Sequence, residues 1–368
     1  MAGFECATGW NRDHHWIDQV EATEHDRRVD EDYAAAAALG LQTVREGVRW
    51  PVVDRGRRLD YSTLDVMVDA ANRHGIEPIW DLFHYGYPHD EDPFSDRFAE
   101  RFASYCQAVA RRVKARMAGP HWFTPVNEPS YFAWAAGDAN LFAPHCAGRS
   151  YELKVKLVRA AIQGIDAIRG EIPDARILNV DPICRVVPPR DRPDLADEAN
   201  GFNEHVVFQA FDMLGGRLHP ELGGSPAHLG TIGINYYWTN QWVHGRPEIT
   251  LAESDERCWP LRDLIRWVWH RYGHDVVVSE TSHSQSNKAW WTASVAEEAA
   301  ACLREGIPLR GVCLYPVLGM PEWHDRTMWA HMGLWEVAND GTRTLHQPMA
   351  DALRRAQRRV RSSKAYIG

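Results

Sequence analysis

The chain has 368 residues, which is enough for a (β/α)₈ barrel of about 250 residues with roughly a hundred left for loops, or for two ordinary domains. Hydrophobic residues make up 45% of the chain and charged residues 25%, which supports a sizeable core and excludes a largely disordered protein. The net charge of −9 and the lack of a lysine or arginine run argue against nucleic-acid binding.

The amino terminus and the distribution of apolar residues predict a cytoplasmic protein. Residues 1–6 lack the charged start and apolar run of a signal peptide. No segment approaches the ~18 consecutive apolar residues of a membrane-spanning helix, so we expect no membrane association. The seven cysteines are scattered and contain no Cys-x-x-Cys pair, which favours free thiols in a reducing compartment. The oligomeric state stays open.

Short apolar runs typical of strands alternate with longer helical patterns along the whole chain. Strands are predicted, in order, at Phe4–Thr8, Thr43–Val48, Ile76–Leu82, Trp122–Val126, Ala175–Val180, Thr231–Tyr236, Asp275–Ser279 and Gly311–Tyr315. Helices are predicted at Glu31–Leu39, Ser62–Arg73, Asp96–Arg116, Tyr151–Arg169, Pro260–Arg271, Thr292–Arg304 and Gln347–Arg361, with a less regular helical pattern at Asn200–Leu214.

This alternation predicts an α/β protein with a (β/α)₈ TIM barrel. Runs such as Asp275–Val278 are apolar almost throughout, as expected for strands that are buried on both faces of a parallel sheet. Glycine marks the expected end of four helices, at Gly40, Gly75, Gly170 and Gly306. Eight units in succession favour a closed barrel over a doubly wound sheet. Because no linker divides the chain, we expect one domain over residues 1–368.

Two glutamates follow predicted strands four and seven, at the end of the barrel where active sites lie. Glu128 stands in Asn127-Glu128-Pro129 after strand four, and Glu280 comes directly after strand seven. Hydrolysis of a glycoside with retention of configuration requires two carboxyl groups about 5–5.5 Å apart, one protonated and one ionised. Strands four and seven face each other across the barrel mouth, so these side chains are candidates for that pair. The structural alternatives are a solvated loop acid or helix cap for Glu128 and an ion pair with an arginine for Glu280.

Further motifs occur along the chain, each at the end of a predicted strand. They are Arg45-x-Gly47-x-x-Trp50 at strand two, Leu82-Phe-His84 at strand three, Gly233-Ile-Asn-Tyr-Tyr237 at strand six, and Tyr315 followed seven and eight positions later by Glu322-Trp323 at strand eight. Together with the Asn-Glu-Pro motif, this set resembles glycoside hydrolase family 1, the β-glucosidase and β-galactosidase family within the larger clan of retaining (β/α)₈ glycosidases. The resemblance extends over strands two to eight.

The resemblance implies roles for particular side chains. It implies that Glu128 is the acid/base, that Glu280 is the nucleophile, and that Arg45 and Tyr237 bind the nucleophile. It also implies that Asn127 binds the 2-hydroxyl of the sugar. The remaining substrate-binding candidates are His84, Asn235, Tyr315, Glu322 and Trp323.

The activity implied is that of a retaining β-glycosidase, exo-acting on small β-glycosides and working by double displacement. An endo-β-glycanase or a transglycosylase would use the same two glutamates. A barrel that binds carbohydrate without turning it over is the alternative from another class. We expect a descendant of that kind to have lost at least one of the two glutamates.

Departures from the family pattern concern the sugar-binding positions. Arg12 stands where the family has a glutamine, and Tyr85 and Tyr315 stand where it has tryptophans. A guanidinium is suited to bind a carboxylate or phosphate, so Arg12 predicts an acidic or otherwise modified sugar. The alternative is that Arg12 pairs with Glu322 or another local acid.

The 18 histidines invite a metal-site interpretation that their spacing does not favour. A metal-dependent barrel hydrolase typically places two ligands on one face of a strand as His-x-His. The chain contains no such motif, and the neighbouring His14 and His15 would point to opposite faces of a strand. We therefore expect no metal, no other cofactor, and a small carbohydrate or glycoside as the binding partner.

Overall fold

Eight parallel strands close into a barrel in the computed structural model, which describes residues 1–56 and 58–364. The strands are β1 (Ala2–Gly3), β2 (Thr43–Gly47), β3 (Glu77–Asp81), β4 (Trp122–Thr124), β5 (Arg176–Pro182), β6 (Thr231–Asn235), β7 (Val276–Thr281) and β8 (Leu309–Leu314). Each strand pairs with the next, and Ala2 pairs with Leu314 to close the ring. The predicted (β/α)₈ fold is confirmed. The predicted domain over residues 1–368 includes position 57 and positions 365–368, which lie outside the described residues.

A helix follows each barrel strand and packs outside the ring. The helices are α1 (His25–Ala38), α2 (Ser62–His74), α3 (Arg97–Arg116), α4 (Ser150–Glu171), α5 (Gln209–Leu214), α6 (Leu261–Tyr272), α7 (Lys288–Arg304) and α8 (Gln347–Lys364). In α3 the buried residues Phe98, Phe102, Tyr105 and Val109 recur every three or four positions, which turns one apolar face toward the barrel. Among the described residues, no helix combines the length and apolar character that crossing a membrane requires.

Shorter helices and strands lie in the loops that connect the barrel elements. The helices are Gln19–Ala22, Trp50–Val53, Pro129–Gly137, Ala196–Gly201 and Pro226–Leu229, with 3₁₀ turns at Pro193–Leu195, Pro220–Leu222 and Gln285–Asn287 and a π turn at Phe202–Val206. The strands are Thr8–Trp10, Trp16–Asp18, Arg185–Val187, Gln241–Val243, Arg246–Thr250, Met320–Pro321, Trp329–Ala330, Trp335–Val337 and Arg343–Leu345. All but Pro220–Leu222 and Pro226–Leu229 lie between a barrel strand and the following helix, on the side of the barrel that carries active sites.

The prediction for the first strand was wrong. The barrel strand is Ala2–Gly3, whereas Thr8–Trp10 belongs to a separate hairpin with Trp16–Asp18. The chain leaves the barrel at Glu5, whose side-chain Oε1 accepts a hydrogen bond from the backbone N–H of Ala7 at 2.9 Å. This local turn ends the barrel strand early. The sequence pattern around it predicts a continuous strand because most of its residues are apolar.

Two helix predictions also need correction. The pattern at Asn200–Leu214 is not one helix, because the π turn separates Ala196–Gly201 from α5. The side chain of Asn203 bonds both the N–H and the C=O of Val186 at 2.9 Å, which ties the turn to a neighbouring strand. Gly170 does not end its helix but lies within α4.

A buried charge network joins α1 to β2. His25 donates hydrogen bonds to Asp32 at 2.7 Å and to Glu46 at 2.8 Å, and its ring stacks on Phe4 at 3.8 Å between ring centres. Burial opposes the charged form of His25, but the two carboxylates outweigh burial and raise its pKa to about 9. Arg343 binds Asp32 at 2.8 Å and so attaches the segment before α8 to the same network.

We expect this network to make stability depend on pH. The folded-state pKa of His25 exceeds its ordinary value of 6.5, so its contribution is complete below about pH 6.5 and is lost as the pH rises to about 9. The contribution is on the order of 3 kcal/mol, from about 1.4 kcal/mol per pKa unit. Urea unfolding of wild type and His25→Gln across this pH range measures it, with the exposed His205→Gln as control. A loss in His25→Gln that is the same at every pH would contradict this assignment.

Candidate active site

Glu128 lies in a tightly held segment after β4. Its backbone N–H bonds to the carbonyl of Val180 at 3.0 Å, and that of Asn127 bonds to the carbonyl of Phe83 at 2.9 Å. Glu128 has a φ of 47°, a left-handed conformation that costs free energy in a residue with a side chain, and the helix Pro129–Gly137 begins immediately after it. The loop therefore directs the Glu128 side chain into the buried barrel mouth.

The Glu128 carboxyl accepts two hydrogen bonds from uncharged donors. Asn235 Nδ2 donates to Oε1 at 2.8 Å, and the Tyr85 hydroxyl donates to Oε2. Burial, followed by the negative charge of Glu280, raises the pKa of Glu128, and the two hydrogen bonds offset this only in part. A carboxyl with a raised pKa retains a proton near neutral pH and is suited to general acid catalysis.

Glu280 lies on β7 and has a cationic partner. Arg45 Nη1 donates to Oε1 at 2.8 Å, and the Tyr237 hydroxyl donates to Oε2 at 2.9 Å. The side chain of Glu280 is buried. Each carboxylate oxygen accepts one of these hydrogen bonds, and together they fix the orientation of the carboxylate. This environment differs from that of Glu128, which has no charged hydrogen-bond donor among the described residues.

Arg45 connects the ends of four barrel strands. Its Nη2 group donates to Asp81 Oδ2 at 2.5 Å and to Asn127 Oδ1 at 2.8 Å, while Nη1 also donates to the carbonyl of Ser279 at 3.0 Å. The guanidinium is completely buried. Because one rigid group holds Asn127 and Glu280 together, the positions of the two glutamate-bearing segments depend on each other.

His84 lies at the centre of a second buried group. Its Nε2 atom lies 3.2 Å from Asn127 Nδ2 and 3.6 Å from Glu5 Oε1, and its Nδ1 atom lies 3.2 Å from Cys6 Sγ. Tyr315 stacks parallel to the His84 ring at 6.0 Å. The Tyr315 ring occupies the space beside Gly3, where a Cβ would lie only 2.0 Å from it. Burial opposes the charge on His84, but its neighbours, Cys6 and Glu5 foremost, raise its pKa well above the ordinary value.

Aromatic side chains line the rim above these groups. Trp323 is half-buried and meets the Tyr85 ring edge-on at 5.5 Å. Tyr131 lies 6.3 Å from Trp323 and 5.8 Å from the exposed Trp134. Apolar ring faces at a barrel mouth can stack on the faces of sugars or of aromatic groups.

The structure brings most of the candidates predicted from the sequence into one hydrogen-bonded cluster. Its members are Arg45, His84, Asn127, Glu128, Asn235, Tyr237, Glu280 and Tyr315, with Trp323 at the rim. Glu322 is exposed. The Arg12 side chain is 51% exposed and pairs with Asp13 at 3.5 Å, so it lies outside the cluster. Its position gives no support to the expectation of an acidic sugar.

Three buried groups of the cluster were missed. Glu5 lay inside the misplaced first strand predicted at Phe4–Thr8, and Tyr85 was noted only as a replacement for tryptophan. Asp81 was read as part of the third strand. The available signal was an acidic residue at the carboxyl end of an apolar run, which identifies both Glu5 and Asp81. The hydrogen bond from Tyr85 to Glu128 had no local signal, because the two residues are 43 positions apart.

One group of potential metal ligands occurs among the described residues. Ligand atoms of Cys6, Asp81 and His84 all lie within 4.8 Å of one another. Asp81 already forms an ion pair with Arg45 at 2.5 Å, so a cation bound here would compete with the guanidinium for that carboxylate. All seven cysteines, which lie in the described part of the chain, are free.

Two curated relatives show partial similarity to the chain. It is 29% identical over 171 residues to the aryl-phospho-beta-D-glucosidase BglC of Bacillus subtilis, a match that covers 42% of this chain and 35% of the relative. It is 28% identical over 137 residues to the coniferin beta-glucosidase of Pinus contorta, covering 34% of this chain and 26% of the relative. The matches thus span about a third of the length of the first relative and about a quarter of the second.

Similarity to solved structures and to a family is broader. The beta-glucosidase of Thermotoga maritima in complex with glucoimidazole superposes with a TM-score of 0.76 at 16% identity, covering 92% of this chain and 88% of that one. At this identity the likeness concerns the fold alone. The model of glycosyl hydrolase family 1 matches residues 8–213, more than half of the chain. The chain therefore belongs to glycosyl hydrolase family 1.

Proposed function

We propose that the chain hydrolyses small β-glycosides with retention, with Glu280 as the nucleophile and Glu128 as the acid/base. The observation that carries the proposal is the contrast between two buried carboxyl groups at one barrel mouth. Glu128 has a raised pKa between uncharged donors, whereas Glu280 is bound by the Arg45 guanidinium. Environments that differ in this way divide acid and nucleophile roles between two carboxyl groups.

The proposed reaction proceeds in two displacements. A Glu280 oxygen attacks the anomeric carbon as Glu128 transfers its proton to the leaving oxygen, which forms a glycosyl ester and releases the aglycone. Formation of the ester removes the negative charge of Glu280, which is one of the causes of the raised Glu128 pKa. Glu128, now ionised, takes a proton from the water that attacks the ester and frees the sugar.

We propose exo action on one terminal sugar, which would lie above the buried floor of the barrel mouth. His84 and Glu5 have side chains only 4% exposed, and Tyr315 lies beside them with little exposure. We assign the 2-hydroxyl of that sugar to Asn127, because hydrogen bonds to this group strengthen in the transition state. One curated relative is named as an aryl-phospho-beta-D-glucosidase and the other as a coniferin beta-glucosidase, which supports a β-glucoside, with or without a phosphate, as substrate.

The stereochemistry of the first product tests the proposal. We expect proton NMR during hydrolysis of a nitrophenyl β-glycoside panel to show the β-anomer first, with the α-anomer appearing only by mutarotation. An α-anomer formed first would exclude retention. Formation of glycosylated acceptors in place of free sugar would identify a transglycosylase, and internal cleavage of oligosaccharides would identify an endo-glycanase.

A further inference from the structure

Tyr85, in the loop after β3, contacts the carboxyl group of the proposed acid/base. Its hydroxyl donates a hydrogen bond to Glu128 Oε2, while Asn235 Nδ2 donates to Oε1 at 2.8 Å. Tyr85 stands where the family pattern has a tryptophan, so this hydroxyl is a feature in which the chain departs from that pattern. The two displacements described above do not involve it.

The backbone of Tyr85 has an unusual conformation. Its φ is 67°, a left-handed value that is costly for a residue with a bulky side chain. The residues on either side pack against the loop after β1. The N–H of Thr8 bonds to the carbonyl of His84 at 3.2 Å, and a Cβ on Gly86 would lie only 1.5 Å from the carbonyl oxygen of Thr8. This close backbone contact fixes the chain before and after Tyr85 and so maintains the strained conformation.

The ring of Tyr85 is enclosed by other aromatic rings. It lies parallel to Phe132 at 5.7 Å, and Trp323 meets it edge-on at 5.5 Å between ring centres. Tyr85 is only 3% exposed. Burial and the charge of Glu128 raise the pKa of its hydroxyl well above the ordinary value, so the hydroxyl keeps its proton near neutral pH. A fixed ring thus presents a permanent hydrogen-bond donor to one oxygen of the acid/base.

The two displacements make opposite demands on Glu128. It must hold a proton in the first and must be ionised in the second. Burial and the charge of Glu280 raise its pKa, and the hydrogen bond from Tyr85 acts in the opposite direction, because a donor binds a carboxylate more strongly than a neutral acid. Ester formation removes the charge of Glu280, whereas the Tyr85 hydroxyl stays in place. Its effect therefore persists in the step that requires the carboxylate.

We propose that Tyr85 is the positioning residue of the acid/base, which fixes the Glu128 carboxyl in both displacements and favours its ionised form in the second. The proposal rests on the proposed function for the roles of Glu128 in the two steps. It predicts that loss of the hydroxyl changes the second displacement and the pH dependence of the first, and not the overall integrity of the site.

Tyr85→Phe tests the proposal, because it keeps the ring and removes only the hydroxyl. Dinitrophenyl β-glucoside needs no proton in the first displacement, so the second is expected to limit its kcat. We expect kcat and KM for this substrate to fall together by about tenfold, with kcat/KM near the wild-type value. With methyl β-glucoside, the decrease of kcat/KM at high pH should move upward by about one pH unit, since loss of the hydrogen bond favours protonated Glu128.

Tyr87→Phe is the matched control. It makes the same change in the same loop, at a half-buried ring that packs edge-on against Phe98 at 5.8 Å. Both pH profiles and the kcat of the dinitrophenyl substrate should stay at their wild-type values in this variant.

Carbon-13 NMR of protein labelled at the glutamate carboxyl groups measures the same effect without turnover. The resonance that Glu128→Gln lacks identifies Glu128, and its titration should move to higher pH in Tyr85→Phe. Replacement of Tyr85 by a fluorinated tyrosine, whose hydroxyl is a stronger donor, should move the titration to lower pH. This second variant keeps the hydrogen bond and decides the matter if Tyr85→Phe does not fold.

Three results would overturn the proposal. They are a Glu128 titration that is the same in wild type and in the Tyr85 variants, an equal loss of kcat and kcat/KM for both substrates without a pH shift, and a shift of the same size in Tyr87→Phe. Failure to hydrolyse any nitrophenyl glycoside, together with the expected shifts in the NMR titration, would count against the proposed hydrolysis and not against the action of Tyr85 on Glu128.

Discussion

Replacing Glu280 by glycine is expected to reduce hydrolysis of aryl β-glycosides by roughly 10⁵–10⁶-fold, as for the loss of an enzyme nucleophile. Sodium azide should then restore release of the aryl group and yield the α-glycosyl azide. The reason lies in the geometry around the missing side chain. Arg45 Nη1 and the Tyr237 hydroxyl lose their carboxylate partner, and together they offer a cationic site and a hydrogen-bond donor to a small anion. Azide bound there attacks the anomeric carbon from the face that Glu280 occupies.

Glu280→Gln provides the matched control, because it removes the charge and leaves no space for the anion. It should be as inactive as Glu280→Gly, and azide should not rescue it. Turnover and identification of the azide product by NMR measure both effects. Activity near the wild-type value in Glu280→Gly, or a β-configured azide product, would remove Glu280 from the role of nucleophile.

Replacing Glu128 by alanine is expected to lower kcat/KM by an amount that depends on the leaving group of the substrate. Alkyl glycosides need a proton on the departing oxygen and should lose about 10²–10⁴ in kcat/KM, the usual contribution of general acid catalysis. Dinitrophenyl glycosides depart without that proton, so their kcat/KM should change far less. Measurement of kcat/KM for both substrate kinds in wild type, Glu128→Ala and the isosteric Glu128→Gln distinguishes these effects. Equal losses for both kinds would leave Glu128 with only a structural role.

The pH profile gives an independent reading of the same residue. Glu128 must be protonated to act as acid, so wild-type kcat/KM on alkyl glycosides should fall as the pH rises through its raised pKa. This decrease should lie at higher pH than for an ordinary glutamate, because burial and Glu280 favour the protonated form. With a dinitrophenyl glycoside, Glu128→Ala should lack this decrease, and its persistence there would assign it to another group.

The sequence by itself determined the barrel fold and the positions of both glutamates at the ends of barrel strands. Buried parallel strands are apolar along their whole length and helices end at glycine, as α2 does at Gly75, so seven of the eight barrel strands were located from local patterns. The closure of such units brings their carboxyl ends to one mouth. Glu128 and Glu280 therefore lie at the same site although they are 152 positions apart in the sequence.

The tertiary structure alone decided where the first strand ends and how the polar side chains pair. The turn at Glu5 interrupts an apolar run through one side-chain hydrogen bond, and the hydrogen bond from Tyr85 to Glu128 joins distant loops. Arg12 and Glu5 are only seven positions apart, yet Arg12 is exposed and Glu5 is buried beside His84. Sequence patterns report which residues follow a strand. Which of them face the mouth depends on the path of the loop and on the neighbours packed against it, and these contacts form only in the folded barrel.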